Sequence, residues 1–280
     1  MRRFPYFVLC FLVAIFLCAC AKTSPQIVVP VVGKQMADYR VSRERRIEQL
    51  KAEFPDLPQA TLEAFSSIPR PRFVADLARH RAYEDQMLPI GSEQATLRLS
   101  DIAWLITTMH IQPTDTVLEI GTGTGYMTAI LARTAKAVYT VEINEYLSEN
   151  AQMILDSLKI RNVTFRTHDG LDGWKARAPF DVIIYTAAIP PLERADGEPV
   201  EKYFSETILS QLASGGRIAV PFIESPTRTP WRVYALKPVE SDDASTDAPQ
   251  GRPDDKPAPS AWHLVEVATR KANITPAIVP

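Results

Sequence analysis

The sequence predicts an α/β fold in which a mostly parallel central sheet carries helices on both faces. The main observation is the stretch 116–142, which has the pattern of a strand, a glycine turn, a helix, a second strand and an acid. The almost continuously apolar run Phe180–Tyr185 indicates a strand that is covered on both faces. Two apolar runs near the C-terminus, 231–236 and 262–267, favour an antiparallel hairpin that closes the sheet.

The amino-acid composition limits the kinds of function that the folded part can have. The chain has 280 residues, of which 46% are hydrophobic, so it can bury a full core. Its formal net charge of -2 provides no basic field for nucleic acid. The three cysteines, Cys10, Cys18 and Cys20, all lie in the first twenty residues, which leaves no disulfide framework, zinc site or thiol nucleophile for the folded part. The four histidines lack metal-ligand spacing, so we expect no metal site. We also expect the protein to be a monomer.

The N-terminus has the pattern of a secretory signal peptide, residues 1–19. Two arginines precede an apolar run, 7–17, that is too short to span a membrane. The motif Leu-Cys-Ala-Cys at 17–20 resembles the bacterial lipobox, which implies cleavage before Cys20 and lipid attachment to it. We therefore expect a periplasm-facing envelope protein, with the outer membrane favoured because residues 21–22 lack an acidic retention signal. The alternative is an uncleaved anchor or a misassigned start, with a cytoplasmic protein.

The remaining chain divides by composition. Residues 20–38 are predicted to be a tether, because they contain prolines and no amphipathic period. The further predicted segments are a helical lead-in at 39–67, the main domain at 68–237, a disordered acidic and proline-rich insertion at 238–260, and a closing strand with a C-terminal tail at 261–280.

Within the main domain each element follows from its apolar spacing. Two proline-punctuated segments, 68–74 and 82–91, are predicted to be loops, and loops on a scaffold often carry function. The predicted helices are 101–110, the segment after the glycines, 144–158 and 204–212. The predicted strands are 117–120, 137–141, 162–165, 180–185 and, after a turn at 214–217, 218–221.

The glycine turn predicts a nucleotide site. Glycines let the backbone bend sharply and approach a ligand closely. Glu142, at the tip of the next strand, can accept both hydroxyls of a ribose. Glu119, two residues before Gly121, would repel a pyrophosphate but suits a cationic ligand. This combination favours S-adenosyl-L-methionine, and the alternative is a glycine-rich turn in an ordinary α/β domain.

Several motifs, in order, resemble the protein-L-isoaspartate O-methyltransferase family. They are Pro-Arg-x-Arg-Phe-Val within 68–74, Ala-Tyr-Glu-Asp through Leu-Pro-Ile-Gly within 82–91, the loop at 94–97, and the glycine motif. The resemblance covers about residues 68–267. It implies a Rossmann-like S-adenosyl-L-methionine-dependent methyltransferase fold and transfer of a methyl group to a carboxylate of damaged, isoaspartyl protein or peptide.

This reading assigns residues to three groups. The glycine motif and Glu119 would bind the methionine part, Glu142 the ribose, and Asp169 the adenine, although Asp169 can also be a simple turn former. The predicted donor-binding residues are Glu119, Gly121, Thr122, Gly123, Gly125, Glu142, Asp169, Gly170 and Thr186. The residues expected to border the acceptor are Ile90, Gly91, Ala187 and Ala188, and the candidate catalytic residues are Gln94, Thr96 and Leu97.

One departure from the family pattern concerns the acceptor. Where the family has glutamine-threonine-isoleucine-serine, this chain has Gln94 to Leu97, and the serine position falls on Leu97, which forms no side-chain hydrogen bond. Thr96, Arg98 and Ser100 are the nearby polar candidates. Two alternatives therefore stay open: a methyltransferase with a different acceptor, and a non-catalytic envelope protein that keeps the donor-binding fold.

Overall fold

The computed structural model describes residues 34–188, 204–222, 229–238 and 262–270. The helices are α1 (Lys34–Glu53), α2 (Gln59–Ser67), α3 (Leu99–Thr108), α4 (Tyr126–Thr134), α5 (Glu145–Ser157) and α6 (Glu206–Leu209). The strands are β1 (Leu88–Gly91), β2 (Gln94–Thr96), β3 (Thr116–Ile120), β4 (Ala137–Glu142), β5 (Val163–Thr167), β6 (Phe180–Tyr185), β7 (Leu212–Pro221), β8 (Trp231–Pro238) and β9 (Trp262–Arg270).

The central sheet has seven strands in the order β5-β4-β3-β6-β7-β8-β9. Strands β3 to β7 pair in parallel, and β8 and β9 add an antiparallel hairpin. The predicted fold class is therefore confirmed. The chain runs from β3 outwards to β5 and returns to β6 on the other side of β3. Ligands of open α/β sheets bind at such a reversal, beyond the carboxyl ends of the strands.

The two central strands are buried on both faces. Val117 and Leu118 of β3 and Val182 and Ile183 of β6 are fully inaccessible to solvent. Because successive strand residues point to opposite faces, Val117 and Val182 belong to one hydrophobic cluster, and Leu118 and Ile183 to the other. This explains why β6 has an almost continuous apolar sequence rather than an alternating one.

The helical lead-in packs on the main domain. Leu50 of α1 and Phe65 of α2 are buried in the same hydrophobic cluster as β3. Helix α1 begins at Lys34, so it takes in the last residues of the predicted tether at 20–38. The prediction of two helices before residue 68 is confirmed, with α1 starting earlier than expected.

The structure corrects two predictions. The predicted helix 204–212 contains only the four-residue α6, which Ser205 caps by accepting a hydrogen bond from the amide of Ile208 (3.2 Å). The predicted turn at 214–217 lies inside β7, whose pairing with β6 jumps from Leu212 to Arg217. This jump is a bulge, and Gly215, at φ +71°, provides the left-handed conformation that it needs.

A third difference concerns the predicted loop 82–91. Its end forms β1, which pairs with β2 in a two-stranded antiparallel hairpin. The predicted signal peptide, the insertion 238–260 apart from Pro238, and the C-terminal tail beyond Arg270 lie outside the described residues. Among the residues that are described, none of the helices combines the length and the apolar character needed to cross a membrane.

Candidate functional site

A cleft of about 280 Å³ lies beyond the carboxyl ends of β3, β4 and β6, under the β1–β2 hairpin. It brings together most of the predicted site residues: Ile90, Gln94, Thr96, Leu97, Glu119, Gly121, Thr122, Gly123, Glu142, Asp169, Gly170, Thr186, Ala187 and Ala188. We call the part formed by residues 119–188 the donor wall and the part formed by residues 90–97 the acceptor wall. Gly91 and Gly125 do not line the cleft, and Cys20 lies outside the described residues.

Gly121 allows the ends of β3 and β6 to approach closely. A Cβ atom at this position would lie 2.3 Å from the Thr186 hydroxyl oxygen, and its φ of +101° is strained for any residue with a side chain. The amide of Gly121 donates to the Val141 carbonyl (2.8 Å), and that of Thr186 donates to the Ile120 carbonyl (2.8 Å). Backbone hydrogen bonds thus fix the floor of the cleft on both sides of β3.

Gly125 has a packing role. It precedes α4 with φ +86°, and a Cβ atom there would lie 3.0 Å from side-chain atoms of Ala151 and Leu155 on α5. The absence of a side chain lets α4 and α5 approach each other. Gly125 therefore has a packing requirement of its own and does not line the cleft, and its predicted donor contact stays a prediction.

Glu142 is held at the end of β4 by two backbone amides. One carboxylate oxygen accepts from the amide of Gly123 (2.8 Å), and the other accepts from the amide of Asn144 (2.9 Å). The side chain is only 3% exposed, yet it lines the cleft. Because each carboxylate oxygen has two lone pairs, the group retains acceptor capacity for a pair of hydroxyls.

Glu119 is the most deeply buried acid of the cleft, with no exposed surface. Its Oε2 accepts hydrogen bonds from Thr128 (2.5 Å) and Thr140 (2.8 Å), while Oε1 has no hydrogen-bond partner in the described part of the chain. Burial raises the pKa of Glu119 to about 8. The hydrogen bonds from Thr128 and Thr140 act in the opposite direction, and the charge of Glu142 raises the pKa further. An unpaired buried oxygen beside a cleft can accept a hydrogen bond from a ligand.

Asp169 and Gly170 close the far end of the donor wall. Asp169 is exposed, and its carboxylate accepts from the amide of Leu171 (3.0 Å), so it does form a turn at this strand end. A Cβ atom on Gly170 would lie 2.6 Å from the Ile120 side chain, so this position also needs glycine. Ile143 and Leu171, both about half exposed, add apolar surface on either side of this end.

The polar residues of the acceptor wall are Gln94 and Thr96. Leu97 lines the cleft with a buried side chain that belongs to the hydrophobic core. The other polar candidates turn elsewhere. Arg98 forms an ion pair with Asp101 (2.8 Å). Ser100 is buried, and its backbone amide donates a hydrogen bond to the carboxylate of Asp85 (2.9 Å).

Sequence reasoning missed Tyr126 and Met127 as cleft residues. They are the first two residues of α4, directly after the glycine turn, and both line the cleft. The Tyr126 hydroxyl is buried without a hydrogen-bond partner among the described residues, and burial raises its pKa. The signal that could have found them is their position, in the first helical turn directly after the glycine motif. In the described ranges no cluster of three or more histidine, cysteine, aspartate or glutamate side chains is placed to hold a metal ion.

Comparison with known proteins supports this description. The family model described as Protein-L-isoaspartate(D-aspartate) O-methyltransferase (PCMT) matches residues 41–234. A protein-L-isoaspartate O-methyltransferase of Trichlorobacter lovleyi is 35% identical over 199 residues, covering 71% of this chain and 86% of that protein. One from Pseudomonas fluorescens is 40% identical over 186 residues, covering 64% of this chain and 80% of that protein.

Solved structures give the same picture. A protein-L-isoaspartate O-methyltransferase matches with a TM-score of 0.57 and 28% identity, over 69% of this chain and 62% of that one. A protein from Plasmodium falciparum, described as a putative member of the same enzyme class in complex with S-adenosyl-L-homocysteine, matches with a TM-score of 0.51 and 18% identity, over 70% and 89% of the two chains. At that identity the second likeness supports the fold alone.

Proposed function

This chain belongs to the protein-L-isoaspartate(D-aspartate) O-methyltransferase family, and we propose that it transfers a methyl group from S-adenosyl-L-methionine to a carboxylate of isoaspartyl protein or peptide. The observation that carries the proposal is the pair of buried acids, Glu119 and Glu142, at the ends of neighbouring strands. Both face the cleft that Gly121 keeps open. The non-catalytic alternative has no comparable support.

The donor wall fits S-adenosyl-L-methionine, which, when bound, supplies an activated methyl group. Oε1 of Glu119 and the glycine turn would hold its cationic amino-acid part, because that oxygen is buried and has no hydrogen-bond partner among the residues that the structure describes. Glu142 would accept the ribose hydroxyls. The apolar surfaces of Ile143 and Leu171 would flank the adenine, with Gly170 leaving room for it.

The acceptor carboxylate is already ionised at neutral pH, so the reaction needs no strong general base. The contribution of the protein is to orient the acceptor and to exclude water. Ile90 and Leu97 are buried apolar residues of the acceptor wall, and Ala188 is the buried residue opposite. Gln94 and Thr96, the polar residues of the acceptor wall, would orient the carboxylate.

A labelled-donor assay tests this proposal. The full chain would be incubated with methyl-labelled S-adenosyl-L-methionine and an isoaspartyl peptide, with the same peptide carrying a normal aspartyl linkage as the control. We expect base-labile methyl label on the isoaspartyl peptide only. A parallel incubation would replace the peptide with an envelope extract. If the chain binds the donor but does not label the isoaspartyl peptide, or if it labels other material in the extract, the acceptor is a different one. An absence of donor binding in calorimetry would contradict the proposal as a whole.

We also propose that the chain is exported and anchored in the envelope, periplasm-facing, through lipid on Cys20. The support is the sequence: two arginines, an apolar run and Leu-Cys-Ala-Cys at 17–20. More than one acyl chain is needed for stable anchoring. Expression with a fatty-acid probe should label the wild-type chain and the Cys18→Ala control, and not Cys20→Ala. Equal labelling of both variants would contradict the anchor. Light scattering of detergent-solubilised protein would test the expected monomer.

A further inference from the structure

Arg70 is a buried cation that lies outside the cleft. Its side chain has no exposed surface, and it is the first residue of the short 3-10 segment Arg70–Phe73. In the described part of the chain its hydrogen bonds all go to backbone carbonyls. One terminal nitrogen donates to Ala82 (2.9 Å) and Glu84 (3.3 Å), and the other donates to Leu97 (2.6 Å) and Gln86 (3.4 Å).

These carbonyls lie at the two ends of the β1–β2 hairpin. Residues 82–86 lead into β1, and Leu97 directly follows β2. A single guanidinium group therefore joins the base of the hairpin from both sides. The tip of the hairpin is more open. Gly91, Ser92 and Glu93 have positive φ values and are exposed. No atom of the described residues lies within 4 Å of a Cβ atom built on Gly91.

The same segment contacts the donor wall. The guanidinium carbon of Arg70 lies 5.5 Å from the ring centroid of Tyr126, the residue that begins α4 after the glycine turn. At the other end of the segment, the Phe73 carbonyl accepts a hydrogen bond from the hydroxyl of Thr124, inside the glycine turn (2.6 Å). Residues 70–73 thus connect the base of the acceptor wall to the donor wall.

Burying a guanidinium group is costly. An apolar side chain would avoid that cost, but it would leave the four backbone carbonyls without these hydrogen bonds. Burial lowers the pKa of Arg70, opposed by nearby Tyr126 and Asp85. Only arginine offers a planar set of donors that can reach carbonyls on both sides at once, whereas lysine presents one compact ammonium group.

We propose that Arg70 is a positioning residue for methyl transfer, which fixes the acceptor wall at the distance from the glycine turn that the reaction requires. The proposal rests on the proposed function. Arg70 acts through the hairpin and not by contact with either substrate. Its loss should therefore affect the acceptor step and spare donor binding.

The test compares Arg70→Lys with Arg72→Lys in the full chain. Arg72 lies in the same segment, is only partly buried, and donates to the Ser157 hydroxyl (2.6 Å), so it is a matched control. For Arg70→Lys we expect kcat/KM for the isoaspartyl peptide to fall about 30-fold, since small misplacements of reacting groups have effects of this order. The affinity for S-adenosyl-L-homocysteine, measured by calorimetry, should stay within about threefold. The control should match the wild type in both.

A second readout does not depend on activity. Amide hydrogen exchange in Arg70→Lys should accelerate in residues 88–97 and stay unchanged in β3 and β6. Added guanidinium should restore part of the lost activity in Arg70→Gly and none in Arg72→Gly. A folded Arg70→Lys with wild-type kcat/KM and wild-type exchange would overturn the proposal. So would equal losses of donor binding and activity.

Failure of the proposed function is a separate outcome. If the wild-type chain does not methylate isoaspartyl peptide, the proposed acceptor is wrong. The exchange experiment still decides whether Arg70 holds the hairpin: faster exchange confined to residues 88–97 supports that role, and unchanged exchange contradicts it. If Arg70→Gly does not fold, Arg70→Lys carries the test alone.

Discussion

The two walls of the cleft differ in how tightly they are packed, and two glycines show the difference. Gly121 in the donor wall and Gly91 at the hairpin tip have nearly the same φ, +101° and +94°. A Cβ atom on Gly121 would meet Thr186 at 2.3 Å, whereas one on Gly91 would meet no atom of the described ranges within 4 Å. The donor wall is therefore built into the core of the sheet, while the acceptor wall is attached at its base and open at its tip.

This difference matches the two tasks. The donor is one compound, so the protein groups that bind it can be held in fixed positions by backbone hydrogen bonds, as Glu142 is. The acceptor is a carboxylate within varied protein sequences, which a hairpin with an exposed tip can accommodate. Substitutions in each wall should separate these two tasks, and the largest effects are expected in the donor wall.

The sharpest comparison is between alanine substitutions at the two glycines. Gly121→Ala should reduce the affinity for S-adenosyl-L-homocysteine by more than about 100-fold, because the new methyl group would displace Thr186 and narrow the cleft floor. Gly91→Ala should change that affinity less than about threefold, since it adds only the strain of a positive φ, about 1–2 kcal/mol. Calorimetry measures both. Gly215→Ala, which has positive φ and open space, is the control for strain alone.

The second comparison is within the donor wall. Glu142→Gln turns one acceptor oxygen into an amide that faces a backbone N–H, either that of Gly123 or that of Asn144. We expect donor affinity to fall about 10- to 100-fold, in line with the loss of a hydrogen bond to a charged group and an unpaired donor. The control is Glu149→Gln on α5, where the side chain is exposed. Unchanged affinity in Glu142→Gln would remove the ribose assignment.

Glu119 predicts a pH dependence that belongs to the donor wall alone. With a pKa of about 8, its carboxyl is protonated in the free protein at neutral pH, and a cationic ligand favours the ionised form. Donor affinity should therefore rise about tenfold per pH unit up to pH 8 and then level off. Binding should release a proton, detected as a dependence of the calorimetric heat on buffer ionisation. Glu119→Gln should abolish the release.

The raised pKa of Glu119 should also make the stability of the fold depend on pH. Because the folded state keeps its proton on Glu119 above pH 4.5, where the unfolded state loses it, the free energy of unfolding should fall as pH rises from about 4.5 to 8. Urea unfolding of the ligand-free chain measures this slope. Glu119→Gln should flatten it, and a slope that survives the substitution would mean that other groups cause it.

The smallest expected effect concerns the acceptor wall. Thr96→Val keeps the shape of the side chain and removes its hydroxyl, so kcat/KM for the isoaspartyl peptide should fall about three- to tenfold. Donor affinity should not change. Thr164→Val on β5, where the side chain is exposed, provides the control. An unaltered kcat/KM in Thr96→Val would leave Gln94 as the polar residue that orients the acceptor.

The sequence allowed the donor wall to be predicted because its residues form a local pattern. Glycine spacing and the acids at two strand ends lie within 116–142, and all three glycines do adopt positive φ. Arg70 could not be found this way. Its partners are backbone carbonyls, the farthest of which is that of Leu97, 27 positions away. Every residue has a backbone carbonyl, so the sequence does not show which carbonyls a side chain contacts.

The predicted turn at 214–217 is wrong for a similar reason. Gly215 and Gly216 indicate a bend, but whether a bend ends a strand or forms a bulge within it depends on the pairing with the neighbouring strand, β6. The packing role of Gly125 also depends on a distant element, because its neighbours on α5 are what require glycine there.

Ile143 and Leu171 should contribute to the heat capacity change of ligand binding. Each is about half exposed to water, and both line the cleft. A planar base placed between them would withdraw this surface from solvent, and dehydration of apolar surface lowers the heat capacity. Titrations with adenosine compounds at several temperatures should therefore become more exothermic on warming, whether or not any methyl group is transferred.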